Sequence, residues 1–241
     1  MTEDSGERDS GQPERHPPAS ATRSRTRPDA LPEPPGDYGL LAARFPVLPK
    51  DRLPAVLYRV HQVIHEPEWF GTSGGCRWDP PAQSAEPFGT CYTGTSPLTA
   101  FIEAVSELPA VTESVIDKRA LALLQVHEDQ RIADMTSPRI VGAWGLDRRI
   151  STGDDYGVCQ RWAAALRLAG FTGVYYEPRY DPRGQGQQAI AFFGDPGYQP
   201  TQIVMIEDEP IPRAVVEEAR RTFGLRVWPA TSLLPPPAWS P

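Results

Sequence analysis

The sequence predicts an α+β domain flanked by Pro-rich segments, and three observations carry that reading. Segments with the two-residue alternation of strands are mixed with segments carrying the 3.6-residue stripe of helices, without a regular βαβ alternation. The chain has 241 residues, of which 39% are hydrophobic, which suits one domain-sized core with part of the chain left outside it. The 28 prolines and 20 glycines place long stretches in loops and tails.

Residues 1–36 are polar, charged and Pro-rich with no apolar period, so they read as a disordered tail whose burial would not offset its ordering entropy. The basic run RHPPASATRSRTRP within it reads as a solvated segment. Tyr38–Leu48 is the first apolar cluster and predicts a short helix or arm. Val56–Val60 alternates as a strand. His61–Gly89 has too many Gly and Pro for regular structure, and its Trp69, Phe70 and Trp78 predict a folded loop with a packed side. Thr90–Thr93 reads as a short strand. Ser96-Pro97 starts a helix, the serine capping free amides and the proline suiting the first turn; the stripe Leu98, Phe101, Ile102, Val105 and Leu108 carries it on.

Ala120–His127 predicts a buried strand, and Arg131–Asp134 follows it. Asp155–Ala169 predicts a helix stopped by Gly170. Gly173–Tyr176 and Gln188–Phe193 read as strands around a Gly/Arg-rich loop, with a further strand at Gln202–Ile206. Pro212–Phe223 predicts a last helix closed by Gly224. The domain is expected over residues 37–230, and 231–241 as a Pro-rich C-terminal tail.

Composition excludes several functions. A net charge of −7 argues against direct nucleic-acid binding, which needs clustered positive charge. No apolar run approaches the roughly 18 residues of a membrane span, and the N-terminus lacks a signal-peptide core, so a cytoplasmic protein without membrane contact is expected. Three widely spaced cysteines and four histidines match neither a disulfide framework nor a zinc pattern, so no metal is expected. All but two of the basic residues, Lys50 and Lys118, are arginines, whose planar fork suits carboxylate or phosphate.

Five ordered blocks carry a resemblance: LYRV (57–60), GGCRWDPP (74–81), GTCYTGTSPLTAFIEAV (89–105), QRWAAALRLAGFTGVYYEPR (160–179) and QAIAFF (188–193). Together, over roughly Val56–Asp195, they resemble the RES domain, a family named for an Arg, a Glu and a Ser. The resemblance implies a fold like that of the ADP-ribosyltransferases. It further implies a bacterial toxin of the toxin–antitoxin type, held by a helix-turn-helix antitoxin, that degrades NAD⁺ at the nicotinamide–ribose bond with water or phosphate as acceptor. NAD is then a substrate and no cofactor is required. A homo-oligomer is among the expected assemblies.

Carried onto matching positions, the site is Arg59, Tyr92 and Glu103 for catalysis and Arg77 with Tyr58 for substrate binding. A cationic nicotinamide leaving group needs no general acid, so a fixed negative charge beside the oxocarbenium-like ribose is the useful catalyst, and Glu103 is the candidate. Arg59 and Arg77 suit the pyrophosphate or a phosphate acceptor. Tyr92 offers a ring for nicotinamide and a hydroxyl for the ribose. Each residue also has a plainer reading. Arg59 pairs with a surface acid, Arg77 orders its own loop through Asp79, Tyr92 is core, and periodicity alone assigns Glu103 to the solvent face. Cys76 and Cys91 read as filler, and His61 and His65 as serving the loop.

The chain departs from the family at the serine. After the GVYY strand Pro178 takes its place, with neither hydroxyl nor amide donor, and Glu177 is the neighbouring candidate to substitute. That departure supports a further reading, a catalytically silent module that binds a nucleotide or partner, and ADP-ribose transfer to a macromolecule is another that keeps the fold. No Rossmann GxGxxG in a strand–turn–helix setting is present, which agrees with an ADP-ribosyltransferase-like site.

Overall fold

The first regular element, α1 (Tyr38–Arg44), starts where the Asp37 carboxylate accepts a hydrogen bond from the Leu40 amide (2.9 Å), and it buries Leu41. The computed structural model describes residues 30–84, 86–106, 108, 110–180 and 186–230. The chain divides into Met1–Ala30 and a compact unit from Leu31 to Pro241, and every regular element described lies in the second.

Along that unit, β1 (Val56–Gln62) leads through the long loop and its two-residue β2 (Trp69–Phe70) to β3 (Gly89–Gly94) and α2 (Pro97–Val105). Then come β4 (Val111–Thr112), α3 (Glu113–Asp117), β5 (Arg119–Val126) and β6 (Ile132–Asp134). Three helices follow, α4 (Arg139–Trp144), α5 (Arg149–Thr152) and α6 (Tyr156–Leu168). After them stand β7 (Gly173–Tyr176), β8 (Ala189–Gly194), β9 (Gly197–Tyr198), β10 (Ile203–Pro210), α7 (Arg213–Phe223) and β11 (Val227–Trp228).

Seven strands form one mixed sheet in the order β10-β5-β1-β3-β8-β7-β6, in which β6 and β7 are parallel and the other neighbours antiparallel. The domain is therefore α+β, as the mixed element order predicts. Residues directly opposite in antiparallel strands share a face. The register pairs Tyr92 with Ala191, Tyr176 with Ala189 and Tyr58 with Gly94 place these positions on one face. Two apolar clusters cover that face. One joins α1 and α6 to Val174, Ala191 and Phe193; the other joins α2 and α7 to Val60 and Leu121. The opposite face buries Leu57, Phe70, Cys91, Leu124, Ile190 and Phe192.

One feature of the sheet sets the site. β5 pairs with β1 at seven positions, whereas β1 and β3 share only Tyr58↔Gly94. Beyond that pair β3 takes its partner from the long loop, through the bridge Gly71↔Thr90. The loop is pinned there by Phe70, which sits where a Cβ on Gly89 would come within 2.6 Å of its own Cβ and one on Gly194 within 2.8 Å of its ring. The sequence-predicted packed side of the loop is real: Phe70 and Trp78 are buried.

The predicted helices and strands appear with ends shifted by a few residues, and Gly170 and Gly224 stop α6 and α7 with φ of +81° and +69°. Several elements differ from expectation. β10 runs to Pro210, although its second half, Glu207-Asp208-Glu209, carries no apolar alternation. As an edge strand it satisfies backbone against β5 while its side chains stay in water, and an edge tolerates proline. The short α3, α4 and α5 fill connections to which the sequence assigned no element; two turns of helix or fewer leave too few residues to show a period.

The predicted tail boundary also moves. Leu31 packs on the first cluster, the Pro32 carbonyl accepts from Trp162 Nε1 (2.9 Å), and Glu33 takes a two-point contact from Arg161 (2.6 Å each). A polar segment can dock through backbone and ionic contacts that leave no apolar period. The tail expected over residues 1–29, the Gly/Arg-rich loop over 181–185 and the C-terminal tail over 231–241 lie outside the described residues. Among the described residues no helix is long and apolar enough to cross a membrane, and no group of three or more His, Cys, Asp or Glu could hold a metal ion.

Candidate active site

The gap between β1 and β3, on the face between the two apolar clusters, holds a cavity of about 550 Å³. Arg59, Arg77, Tyr92 and Glu103 all line it, brought from a strand, a loop, a second strand and a helix.

Arg59 stands on β1 just past the last β1–β3 pair. Its Nη1 donates to the carbonyls of Pro67 (2.5 Å) and Trp69 (2.7 Å) and to Cys91 Sγ (2.8 Å), so one nitrogen is spent on locking the loop. Cys91 is fully buried, and burial pushes its thiol up to about 11, against the pull of the adjacent guanidinium. Arg77 is buried, with 6% of its surface exposed. It donates through Nη2 to Gly153 O (2.8 Å) and through Nη1 to Ile150 O (3.3 Å), and lies 4.5 Å over the Tyr156 ring. It thereby ties the loop to the carbonyl ends of α5, which the sequence did not suggest. Among the described residues no carboxylate pairs with Arg59 or Arg77.

Asp79 organises the loop from within. This carboxylate, 2% exposed, accepts from Ser73 Oγ (2.7 Å), the Cys76 amide (3.1 Å) and the Tyr92 hydroxyl (3.0 Å). The Tyr92 oxygen in turn accepts from the Trp78 amide (2.9 Å). Burial, then the Asp79 charge, hold the Tyr92 phenol well above its ordinary range, so it stays protonated. Its hydroxyl, expected to face a ribose, is thus engaged within the protein, and its ring is what remains for a ligand. From α6, Gln160 Nε2 donates to the carbonyls of Gly74 (2.9 Å) and Cys76 (3.0 Å), stitching the other side of the loop.

Glu103 corrects the reading from periodicity. α2 lies close on β3, because Gly94 leaves no Cβ to push against Ala100 N, which would stand 2.5 Å away. The helix edge that periodicity assigns to water therefore borders the cavity, and Glu103 Oε2 accepts from the Tyr176 hydroxyl at 2.5 Å. Tyr176 is 2% exposed, and burial together with the neighbouring carboxylate holds its phenol well above the usual tyrosine range. Tyr176 was not singled out in the sequence; the signal available was its place at the end of the GVYY strand.

Two predicted residues stand outside the lining. Tyr58 packs against the α2–α7 cluster, as its inward pleat position dictates. Glu177 pairs with Arg148 (2.8 Å), half-exposed, and so does not take the place of the family's serine. Pro178 is buried and also outside the lining. His61 and His65, read as loop residues, do line the cavity. His61 Nδ1 faces the carbonyls of Gln62 (3.1 Å) and His65 (3.0 Å) and its Nε2 faces Asp208 (3.0 Å). Cys76 borders the cavity as well.

The fold and site define a class: an α+β domain with a parted sheet whose cleft presents one buried and one half-buried arginine, two tyrosines and a carboxylate. The family model of the RES domain matches residues 56–214, and the chain belongs to that family. A solved structure, "Crystal structure of the M.tuberculosis MbcT-MbcA toxin-antitoxin complex", contains a chain of the same fold, with a TM-score of 0.54 and 22% identity, covering 69% of this chain and 89% of that one. No curated protein matches the sequence.

Proposed function

We propose that this RES-domain protein consumes NAD⁺ by cleaving its nicotinamide–ribose bond. The observation that carries the reading is the convergence of Arg59, Arg77 and Glu103 on one cavity, with one buried and one half-buried guanidinium that no described carboxylate pairs. Burying such cations without a counter-charge is costly, and a dinucleotide's pyrophosphate supplies one. A cavity of about 550 Å³ falls in the range of small-molecule sites.

In this reading the glycosidic bond breaks with its electron pair passing to the pyridinium nitrogen, so the leaving nicotinamide is neutral and needs no proton. Positive charge develops on the ribose C1′ and O4′, and Glu103, held by the Tyr176 hydroxyl, stabilises it. Water then adds at C1′ and releases a proton, or phosphate adds in its place. The Tyr92 ring faces the cavity as a stacking surface. Arg59, of whose nitrogens Nη1 alone is bonded among the described residues, is the fork for the pyrophosphate, while Arg77 acts mainly through its charge. Family membership and the fold shared with a chain of a toxin–antitoxin complex support a toxin's role with a protein antitoxin as partner.

Purified protein incubated with NAD⁺ should release nicotinamide, and Glu103→Gln should release it on the order of 10²-fold more slowly. Negligible release by both proteins refutes the reading; label from NAD⁺ left on protein or nucleic acid would point instead to macromolecular ADP-ribosylation.

A further inference from the structure

The cavity continues past Arg59 and Glu103 to a second end, lined by Gln62, His65, Leu108 and Arg119, which the reaction at the ribose does not use. Its position follows from the register. Gln62 stands opposite Arg119 and Arg59 opposite Ala122, so this end lies three strand residues, roughly 10 Å, beyond Arg59. The turn after β1 is fastened beside it, with the His65 amide donating to Gln62 O (3.0 Å) and the Val63 amide to Lys118 O (3.1 Å). The cavity carries two further features made by different parts of the chain, one at this end and one reaching from it back to Arg59, whose Nη1 donates to Trp69 O (2.7 Å).

The first is a guanidinium. Arg119 is half-buried and donates from Nη1 to Val115 O (2.7 Å), and among the described residues no carboxylate pairs with it. Burial pulls it below its ordinary range, the mark of a cation that has lost water without gaining a counter-ion. The second is an aromatic platform. The His65 ring lies stacked on Trp69, centroids 4.7 Å apart and planes 20° apart, and both residues line the cavity. His65 is exposed, so the stack presents an open face. A cation and a flat aromatic surface lining one cavity make the pairing that recognises a nucleotide, the phosphate on the fork and the base on the ring.

We infer that this end is the seat of the adenylate half of the dinucleotide, with Arg119 holding a phosphate and the His65–Trp69 stack receiving the adenine. The inference rests on the NAD⁺ reading for its substrate. It adds a specificity element outside the residues that touch the breaking bond: the enzyme should prefer a whole dinucleotide to nicotinamide mononucleotide, which has the same scissile bond but no adenylate.

The test compares kcat/KM for NAD⁺ and for nicotinamide mononucleotide in wild type and Arg119→Gln. Loss of a charged fork on phosphate should lower the ratio of the two values about tenfold or more in the variant. A ratio left unchanged, whether both values fall together or neither does, overturns the inference, because a merely structural arginine would affect both substrates alike. Arg119→Lys, which keeps the charge and loses the fork, should give an intermediate ratio and serves if the Gln variant does not fold.

A second measurement is independent of turnover. AMP titrated into the full chain and followed by ligand-observed NMR should bind wild type and bind Arg119→Gln about tenfold more weakly. No binding to wild type, or equal binding to both, refutes the adenylate site even if nicotinamide is released. AMP binding by a protein that releases no nicotinamide would keep the site and remove the enzymatic reading.

Discussion

Replacing Tyr176 by Phe isolates how Glu103 is held. The change removes one hydroxyl and keeps the ring, which packs edge-on against Trp78 with centroids 5.5 Å apart. What is lost is a 2.5 Å O–H···O contact to a carboxylate at the cavity wall. Hydrogen bonds to charged groups contribute about 1.5–3 kcal/mol net. At about 1.36 kcal/mol per factor of ten, that converts to roughly a ten- to 150-fold loss if the whole contact is needed to aim the carboxylate in the transition state. An opposing effect exists: a carboxylate with one donor fewer carries a less neutralised charge and would stabilise the oxocarbenium better. Geometry should win, because cavity water can restore a donor to Glu103 but cannot restore its direction. The expected result is a kcat for nicotinamide release about tenfold or more below wild type, with KM changed less than about threefold and only a small fall in Tm. A kcat equal to or above wild type refutes the argument, and a fall in rate that tracks a large fall in Tm shows the hydroxyl to be structural instead.

Two further outcomes follow from the packing and the titrating groups. Gly94→Ala sets a Cβ about 2.5 Å from Ala100 N and 2.9 Å from Thr99 Cβ, so α2 must shift outward, at a cost of roughly 1–3 kcal/mol; thermal melting should register the loss, and nicotinamide release should fall with it because Glu103 rides on that helix. For Cys91 the thiol sits near 11 in the fold against an ordinary 9.0, so the folded state binds the proton more tightly. The stabilisation is full below pH 9 and is lost as pH rises toward 11, about 3 kcal/mol in all. Urea melts of wild type and Cys91→Ala across that window should show a flatter pH dependence in the variant, and parallel slopes would contradict it.

The parts of this molecule that were legible in the sequence are those that leave a local mark. Ser96 caps α2 by accepting from the Thr99 amide (3.1 Å), and α6 ends at a glycine of positive φ; cap chemistry and apolar stripes are written within a few residues. The four converging side chains could be found only through their ordered blocks, since each alone reads as ordinary surface or core. Their partners left no such mark. That Arg77 reaches Gly153, that the Tyr92 hydroxyl donates a hydrogen bond to Asp79, and that Tyr176 meets Glu103 depend on where β1 parts from β3, and contacts across 13 to 76 residues have no period.

The parting of β1 and β3 also accounts for how one domain can line a cavity with a buried and a half-buried guanidinium that no described carboxylate pairs. In an unbroken sheet the positions after Tyr58 and before Gly94 would face each other across a ladder and be filled by core side chains. Here the ladder stops after one pair, and the loop from Trp69 to Asp79 enters the gap. That loop is tied by its backbone: Arg59 takes the carbonyls of Pro67 and Trp69, and Gln160 those of Gly74 and Cys76. Because side chains bond backbone there, the loop's fold consumes donors and no carboxylate except Asp79, whose charge is met by three donors of its own. Positive charge on Arg59 and Arg77 is left lining the cavity together with the Glu103 carboxylate. That separation of charge suits a substrate carrying phosphate on one side of a ribose and a developing cation on the other.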